Sequence, residues 1–171
     1  YGDLPNAHGR AHGYVYRVYR NEPGFKITNL IGWFNNEGID MGITLWQYFT
    51  RTGERKYWQV AEAYTEHLED VDVVHAHPTR SDWLGWSHYH GMLHWDGGPS
   101  PSHTHIHAWL LHYFFTGNRR ALEVAREAAD AALSRQEPSG IYSNRGGARR
   151  REFTHPIALL WAFYETTWEE K

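Results

Sequence analysis

The stretch HIHAWLLHYFFTGNRRALEVAREAADAALS, His105 to Ser134, sets two kinds of helix on either side of one glycine. Its first part, up to Gly117, is apolar on most sides of a helical wheel. Its second, from Asn118, is apolar along one stripe of Leu122, Ala125, Ala129 and Ala132, opposed by Arg and Glu. A helix apolar all round belongs inside a protein, and a one-striped helix belongs on its surface. Gly117 suits the left-handed position that closes a helix. The stretch therefore spells an inner helix, a tight turn and an outer helix.

The same unit stands earlier in the chain. IDMGITLWQYFTRT, Ile39 to Thr52, is apolar on nearly every side and is expected to be buried all round, while ERKYWQVAEAYTEHLED, Glu54 to Asp70, is apolar only at Tyr57, Val60, Ala61, Tyr64 and Leu68. Gly53 and Gly117 lie 64 positions apart, as do Thr52 and Thr116, Val60 and Val124, and Ala61 and Ala125. A third inner-type helix, HPIALLWAFYETTW, is expected from His155. There Thr154-His155, Ala158 and Leu160 repeat Thr104-His105, Ala108 and Leu110. The pattern predicts an all-α fold of helical hairpin repeats over residues 32–171, after an irregular lead-in over 1–31, in a single domain over 1–171.

Hairpins stacked in this way run their inner helices in parallel and gather the N-termini on one face. The connections from outer to inner helices, Val71 to Ser102 and Gln136 to Thr154, are long, and GWFNNEGID, Gly32 to Asp40, precedes the first inner helix. Long connections in a compact domain usually carry function. Eight of the thirteen histidines fall between His75 and His107. The helix N-termini beside them offer free N–H groups and a positive dipole end, which suit carboxylates.

Composition narrows the ligand. Aromatic residues make up 16% of the chain, with nine Trp, a stock of rings suited to stacking on sugars. A net charge of −3 gives no basic nucleic-acid footprint, and the absence of cysteine removes disulfides, thiolate catalysis and Cys-ligated zinc. No apolar run is long enough to span a bilayer, so neither nucleic acid nor membrane is an expected partner. The first residues, YGDLPNAHGRAHG, are polar and do not begin with Met, as in a processed product or a piece of something longer.

The hairpin array, together with NNEGIDMG before one inner helix, HWDGGPSPSHTH before the next and HYFFTGNRRALEVAREAAD after it, resembles the α/α-toroid domain of six-hairpin carbohydrate-active enzymes. Within that superfamily it is most similar to the toroid of exo-acting rhamnogalacturonan lyases and their relatives. The likeness runs from about Gly32 to Trp168. It implies a polysaccharide-degrading enzyme acting outside the cytoplasm, extracellular or periplasmic. A complete toroid of this type has about twelve helices, so the chain resembles about half a ring. An exposed apolar flank and self-association, or further domains of a longer chain, follow as expectations.

A lyase of acidic polysaccharides removes the proton alpha to a uronate carboxylate. It needs a base, a group that neutralises the carboxylate and an acid for the leaving oxygen. Tyr89 and His90 are the candidates for base and acid, with His94 and Asp96 as further catalytic candidates in the same loop. Asn36, Glu37, Arg80, Trp86, His88, Trp95, His103, His105, Arg145 and His155 are the candidates for substrate binding. Hydrolysis would instead need two carboxyl groups flanking the bond, from Glu37, Asp40, Asp82, Asp96 and Glu152. Carboxylates are sparse beside His and Tyr here, which favours elimination. Asp40 also suits a helix N-cap, and Asp96 before two glycines suits a turn.

His103, His105 and His107 alternate, but i and i+2 share a face on a strand and not on a helix, so no cofactor is expected and a divalent cation is the minor alternative. His105 and His155, at repeat-equivalent positions, are expected to hydrogen-bond at the mouth, whereas His67 and His112 lie within helices and are expected to be structural. A different class of reading is a non-catalytic sugar-binding or self-assembling helical repeat.

Overall fold

The computed structural model describes residues 41–88, 99–134 and 150–169. Five α-helices are found there: α1 (Met41–Thr52), α2 (Arg55–His67), α3 (His107–Thr116), α4 (Arg119–Ser134) and α5 (Arg150–Thr167). Among the described residues the only β pairing is two isolated bridges, Val73 with Ser87 and His88 with Pro99. α1 packs on α2 and α3 on α4, α3 also touches α1, α2 and α5, and α4 packs on α5. The inner helices are α1, α3 and α5, and the outer ones are α2 and α4. None of the described helices is long and apolar enough to cross a membrane.

Each inner helix ends in the same turn. At the end of α1, Gly53 N–H donates to Phe49 O at 2.7 Å, the Thr52 hydroxyl donates to Tyr48 O at 2.8 Å, and Glu54 N–H donates back to that hydroxyl at 3.2 Å. At the end of α3, Gly117 N–H reaches Tyr113 O at 2.8 Å, Thr116 Oγ1 reaches His112 O at 2.6 Å, and Asn118 N–H reaches Thr116 Oγ1 at 3.1 Å. α5 repeats all three through Trp168 to Tyr164 at 2.7 Å, Thr167 to Phe163 at 2.9 Å, and Glu169 to Thr167 at 3.2 Å. The middle residue is left-handed each time, with φ of 67° at Gly53, 73° at Gly117 and 58° at Trp168. Such a residue redirects the chain without leaving the last carbonyls unpaired. The turns of α1 and α3 meet at one end of the molecule, where Phe115 lies 5.6 Å from Phe49 and 5.9 Å from Trp58 between ring centroids.

Two expectations about helices need correction. α1 is not buried all round: only Gly42 and Trp46 are buried, and Tyr48 is 48% exposed, because among the described helices α1 packs mainly on α2 and α3. The third inner helix starts at Arg150 rather than His155, so Pro156 lies inside it. A proline there removes one internal hydrogen bond without ending the helix. The N-terminal part of α5 matches α3 at an offset of 50, whereas the two turns match at 51, so α5 carries one additional residue.

The core forms where the helices meet. Trp46, Trp109, Ile106, Leu159 and Phe163 are fully buried, and α4 contributes Ala121, Val124, Ala125, Ala128, Ala129, Ala131 and Ala132. That alanine-rich stripe is broader than the sequence suggested and lets neighbouring backbone approach closely. Trp46 is held on both sides, stacking on Phe115 at 5.1 Å and donating its indole N–H to Thr65 of α2 at 3.0 Å.

Candidate functional site

The long connection after α2 does two jobs. α2 runs on into a π-helical turn, Leu68–Asp72, whose acids face basic partners. Glu69 accepts from His112 Nδ1 at 2.9 Å, Asp72 lies 3.7 Å from His67, and Asp70 accepts from Arg120 Nε at 3.3 Å. The chain then passes along α4. His75 Nδ1 donates to Glu127 at 2.7 Å, and its Nε2 stands 2.6 Å from the carbonyl of Glu69. The Glu127 hydrogen bond raises the His75 pKa against the opposing effect of burial. Gly85, at φ 77°, presses its backbone onto α4: a Cβ there would stand 2.5 Å from Glu127 O and 2.8 Å from Ala131 Cβ. Residues 71–85 are therefore largely scaffold, where the sequence suggested that the whole connection lines the functional face.

From Ser87 onward the connection reaches the start of α3. Val73 pairs with Ser87 and His88 with Pro99, Ser100 N–H donates to Ser87 O at 3.0 Å, and Ser87 N–H donates to Thr104 Oγ1 at 2.9 Å. Thr104 in turn donates to Ser100 O at 3.1 Å, and Ser100 Oγ accepts from Ser102 N–H at 3.2 Å. Both ends of the stretch 89–98 are thus fixed to one buried hydrogen-bonded base. That base abuts the second turn of α5, where His155 Nδ1 donates to Ser102 O at 2.8 Å and the His155 ring lies 4.6 Å from that of His105.

The binding candidates divide accordingly. His105 and His155, expected only to occupy repeat-equivalent positions and to hydrogen-bond, come together ring to ring at half-buried positions, and His155 bonds the carbonyl of Ser102. His88, paired with Pro99, and His103, bonded to Ser100, are 4% and 1% exposed, so they support the base. Trp86 is a correction: at 1% exposed it belongs to the core and has no face left for a sugar. Trp83, not among the sequence candidates, is half-buried and faces His77 at 5.0 Å and His88 at 6.2 Å. Arg80 covers the Trp83 ring at 4.5 Å and is held by Asp82 in a double hydrogen bond of 2.8 and 2.7 Å, so both charges are matched locally. A cleft of about 360 Å³ lies here, lined by Val71, Val73, Val74, His77, Trp83 and His88 among others. Trp83, its aromatic wall, closes a 3-10 turn, Ser81–Trp83.

Tyr89, His90, His94, Trp95 and Asp96 lie outside the described residues, as do Asn36, Glu37, Asp40 and Arg145. Among the described residues, no three His, Asp or Glu side chains converge as a metal site. His67 and His112 are both buried within the helical frame, in line with structural roles. Burial opposes charge on His112, but the hydrogen bond and charge of Glu69 prevail and raise its pKa, while burial also pushes the Glu69 carboxyl up. Burial alone lowers the pKa of His107.

Paired inner and outer helices with one recurring turn define a helical-hairpin toroid. The chain belongs to the family described as the PcRGLX-like protein C-terminal alpha/alpha toroid domain, whose model matches residues 31–169. It is 29% identical over 140 residues to the uncharacterized protein YetA of Bacillus subtilis (strain 168), an alignment that covers 80% of this chain and 15% of the relative. The chain thus spans a small part of that relative's length. No solved structure matches it.

Proposed function

We propose that this toroid domain belongs to an enzyme that cleaves an acidic polysaccharide by β-elimination, outside the cytoplasm, and that residues 89–98 carry its chemistry. The supporting observation is the fixed base of that stretch: His88 and Pro99 are paired, Ser87 is bonded to Thr104 just ahead of α3, and Ser102 is bonded to His155 of α5. Fixing the flanking residues His88 and Pro99 beside the base of Ser102 and Thr104 gives that stretch a defined point of departure and return, and proton transfer requires groups held at a set position. In this reading Tyr89 and His90 act as base and acid, with His94 and Asp96 beside them. His105 and His155, with Asn36, Glu37, Trp95 and Arg145, bind sugar, and helix N-termini help to hold the uronate carboxylate.

Elimination is favoured over hydrolysis by the carboxylates. Asp82, one of the acids available for a hydrolytic pair, is engaged by Arg80 in a bidentate ion pair at the surface. No metal or other cofactor is needed for the step. The test is turnover of the full-length protein on uronate-containing chains after substitution. Tyr89→Phe and His90→Ala abolishing turnover while binding survives supports this reading. Loss through Asp96→Asn and Glu37→Gln instead would assign hydrolysis. A wild-type protein that binds sugar without turnover would assign a binding module.

A further inference from the structure

The cleft beside Trp83 holds groups that neither the fold nor the proposed elimination uses. Its volume of about 360 Å³ lies at the lower end of the range for small-ligand sites. Trp83 lines it, whereas Arg80, which covers the indole at 4.5 Å, does not, so the ring meets the cleft on a side that the guanidinium leaves open. His77 and His88 brace the ring edge to face and hold it in place without a ligand. His77 Nδ1 accepts the backbone N–H groups of Thr79 at 3.2 Å and Arg80 at 3.0 Å, which places the ring proton on Nε2. That Nε2–H has no hydrogen-bond partner among the described residues. Asp70, also in the lining, gives one carboxylate oxygen to Arg120 Nε at 3.3 Å and keeps the other as an acceptor.

Charge selects the ligand. Among the described residues no Lys or Arg lines the cleft, His75 uses both ring nitrogens on Glu127 and the carbonyl of Glu69, and the Arg80 guanidinium is matched by Asp82. A carboxylate or phosphate brought here would face Asp70 with no unpaired cation to balance it. Val71, 37% exposed, and the indole offer an apolar wall instead. A ring with C–H groups on its face and hydroxyls at its rim matches all three features. We propose that this cleft is a subsite for a neutral sugar residue, seated against Trp83, with His77 Nε2–H donating to one hydroxyl oxygen and Asp70 accepting from another hydroxyl. The subsite rests on the reading of the domain as one that handles polysaccharide, though not on elimination. It adjoins the stretch assigned to chemistry through His88, which lines the cleft and immediately precedes residue 89.

Calorimetric titration of the full-length protein tests this, with neutral oligosaccharides of glucose, galactose, mannose, xylose and rhamnose as one panel and oligogalacturonides and oligoglucuronides as the other. The expected result is that at least one neutral oligosaccharide binds, and that its affinity falls on the order of tenfold in Trp83→Ala and about fivefold in His77→Ala. Ala76, exposed in the same lining, supplies a variant that removes no contact: Ala76→Leu fills the cleft and is expected to abolish neutral-sugar binding with an unchanged Tm. If Trp83→Ala does not fold, Ala76→Leu decides. Binding with these sensitivities supports the subsite even where no uronate polysaccharide is turned over, so the two readings fail separately. Three results overturn it: no neutral oligosaccharide binding, neutral-sugar binding unaffected by Ala76→Leu, or oligouronates as the ligands that these substitutions displace.

Discussion

Glu69 and His112 meet at 2.9 Å, each 1% exposed, and bind the turn that ends α2 to the second half of α3. Trp46 stacks on the same imidazole at 5.9 Å, so the pair is closed in by the core. Removing one partner of such a pair leaves a polar group buried alone. His112→Ala is expected to cost about 3 kcal/mol of unfolding free energy, measured by denaturant titration. A loss below 1 kcal/mol, within the range of surface pairs, would show that the pair does not hold these helices.

The same contacts set a pH dependence. His75 and His112 both have pKa values raised above the ordinary 6.5 by Glu127 and Glu69. A raised value means that the folded state holds the proton more tightly. The stability from these histidines is full below pH 6.5 and falls as pH rises through their raised values. His107, lowered by burial, acts oppositely and favours folding as pH rises toward and past 6.5. Thermal melts of the His107→Gln variant are therefore expected to show Tm falling steadily from pH 6.5 upward. A Tm that climbs over that range would contradict the assigned contacts.

Gly85 is fixed by its surroundings as well as by its backbone. A methyl group there meets the Glu127 carbonyl at 2.5 Å, and φ is 77°. Gly85→Ala is expected to destabilise the protein by about 2–4 kcal/mol, combining overpacking with left-handed strain. Hydrogen exchange is expected to rise at His75 and along the middle of α4. A neutral substitution would mean that the connection does not pack on α4.

Gly53 and Gly117 show the backbone effect alone, because no atom lies within 4 Å of an added Cβ at either. Gly117→Ala is expected to cost about 1 kcal/mol. Trp168 occupies the same left-handed position and is 76% exposed. Trp168→Gly is accordingly expected to raise stability by about 1 kcal/mol in the 171-residue chain. A loss on that substitution would show that the Trp168 contact with Tyr164 outweighs the strain.

Much of the hairpin frame was legible because it rests on local patterns. Gly53 and Gly117, each behind a threonine, mark turns that hydrogen bonds with neighbours in sequence enforce. The stripe on α4 follows helical periodicity. The start of α5 lay earlier than expected because the repeat with Thr104-His105 and the apolar run begin at Thr154-His155, whereas the polar first turn from Arg150 carries no such pattern. The burial of Trp86, His88 and His103 was not legible, since residue type does not tell a ring that stacks on ligand from one that fills a core. The same holds for the path of residues 71–85 along α4, which depends on Gly85 meeting Ala131 and His75 meeting Glu127, contacts distant in sequence. The repeat placed His105 and His155 at equivalent positions, but their ring contact was not legible, since it depends on His155 lying inside α5 rather than ahead of it.

The most direct test of the central claim is to incubate the full-length protein with a panel of uronate-containing polysaccharides, following both the ultraviolet absorbance of newly formed unsaturated uronate and total reducing ends. The account predicts that absorbance rises in step with reducing ends on at least one substrate. Reducing ends without absorbance, or neither signal on any substrate, would contradict it.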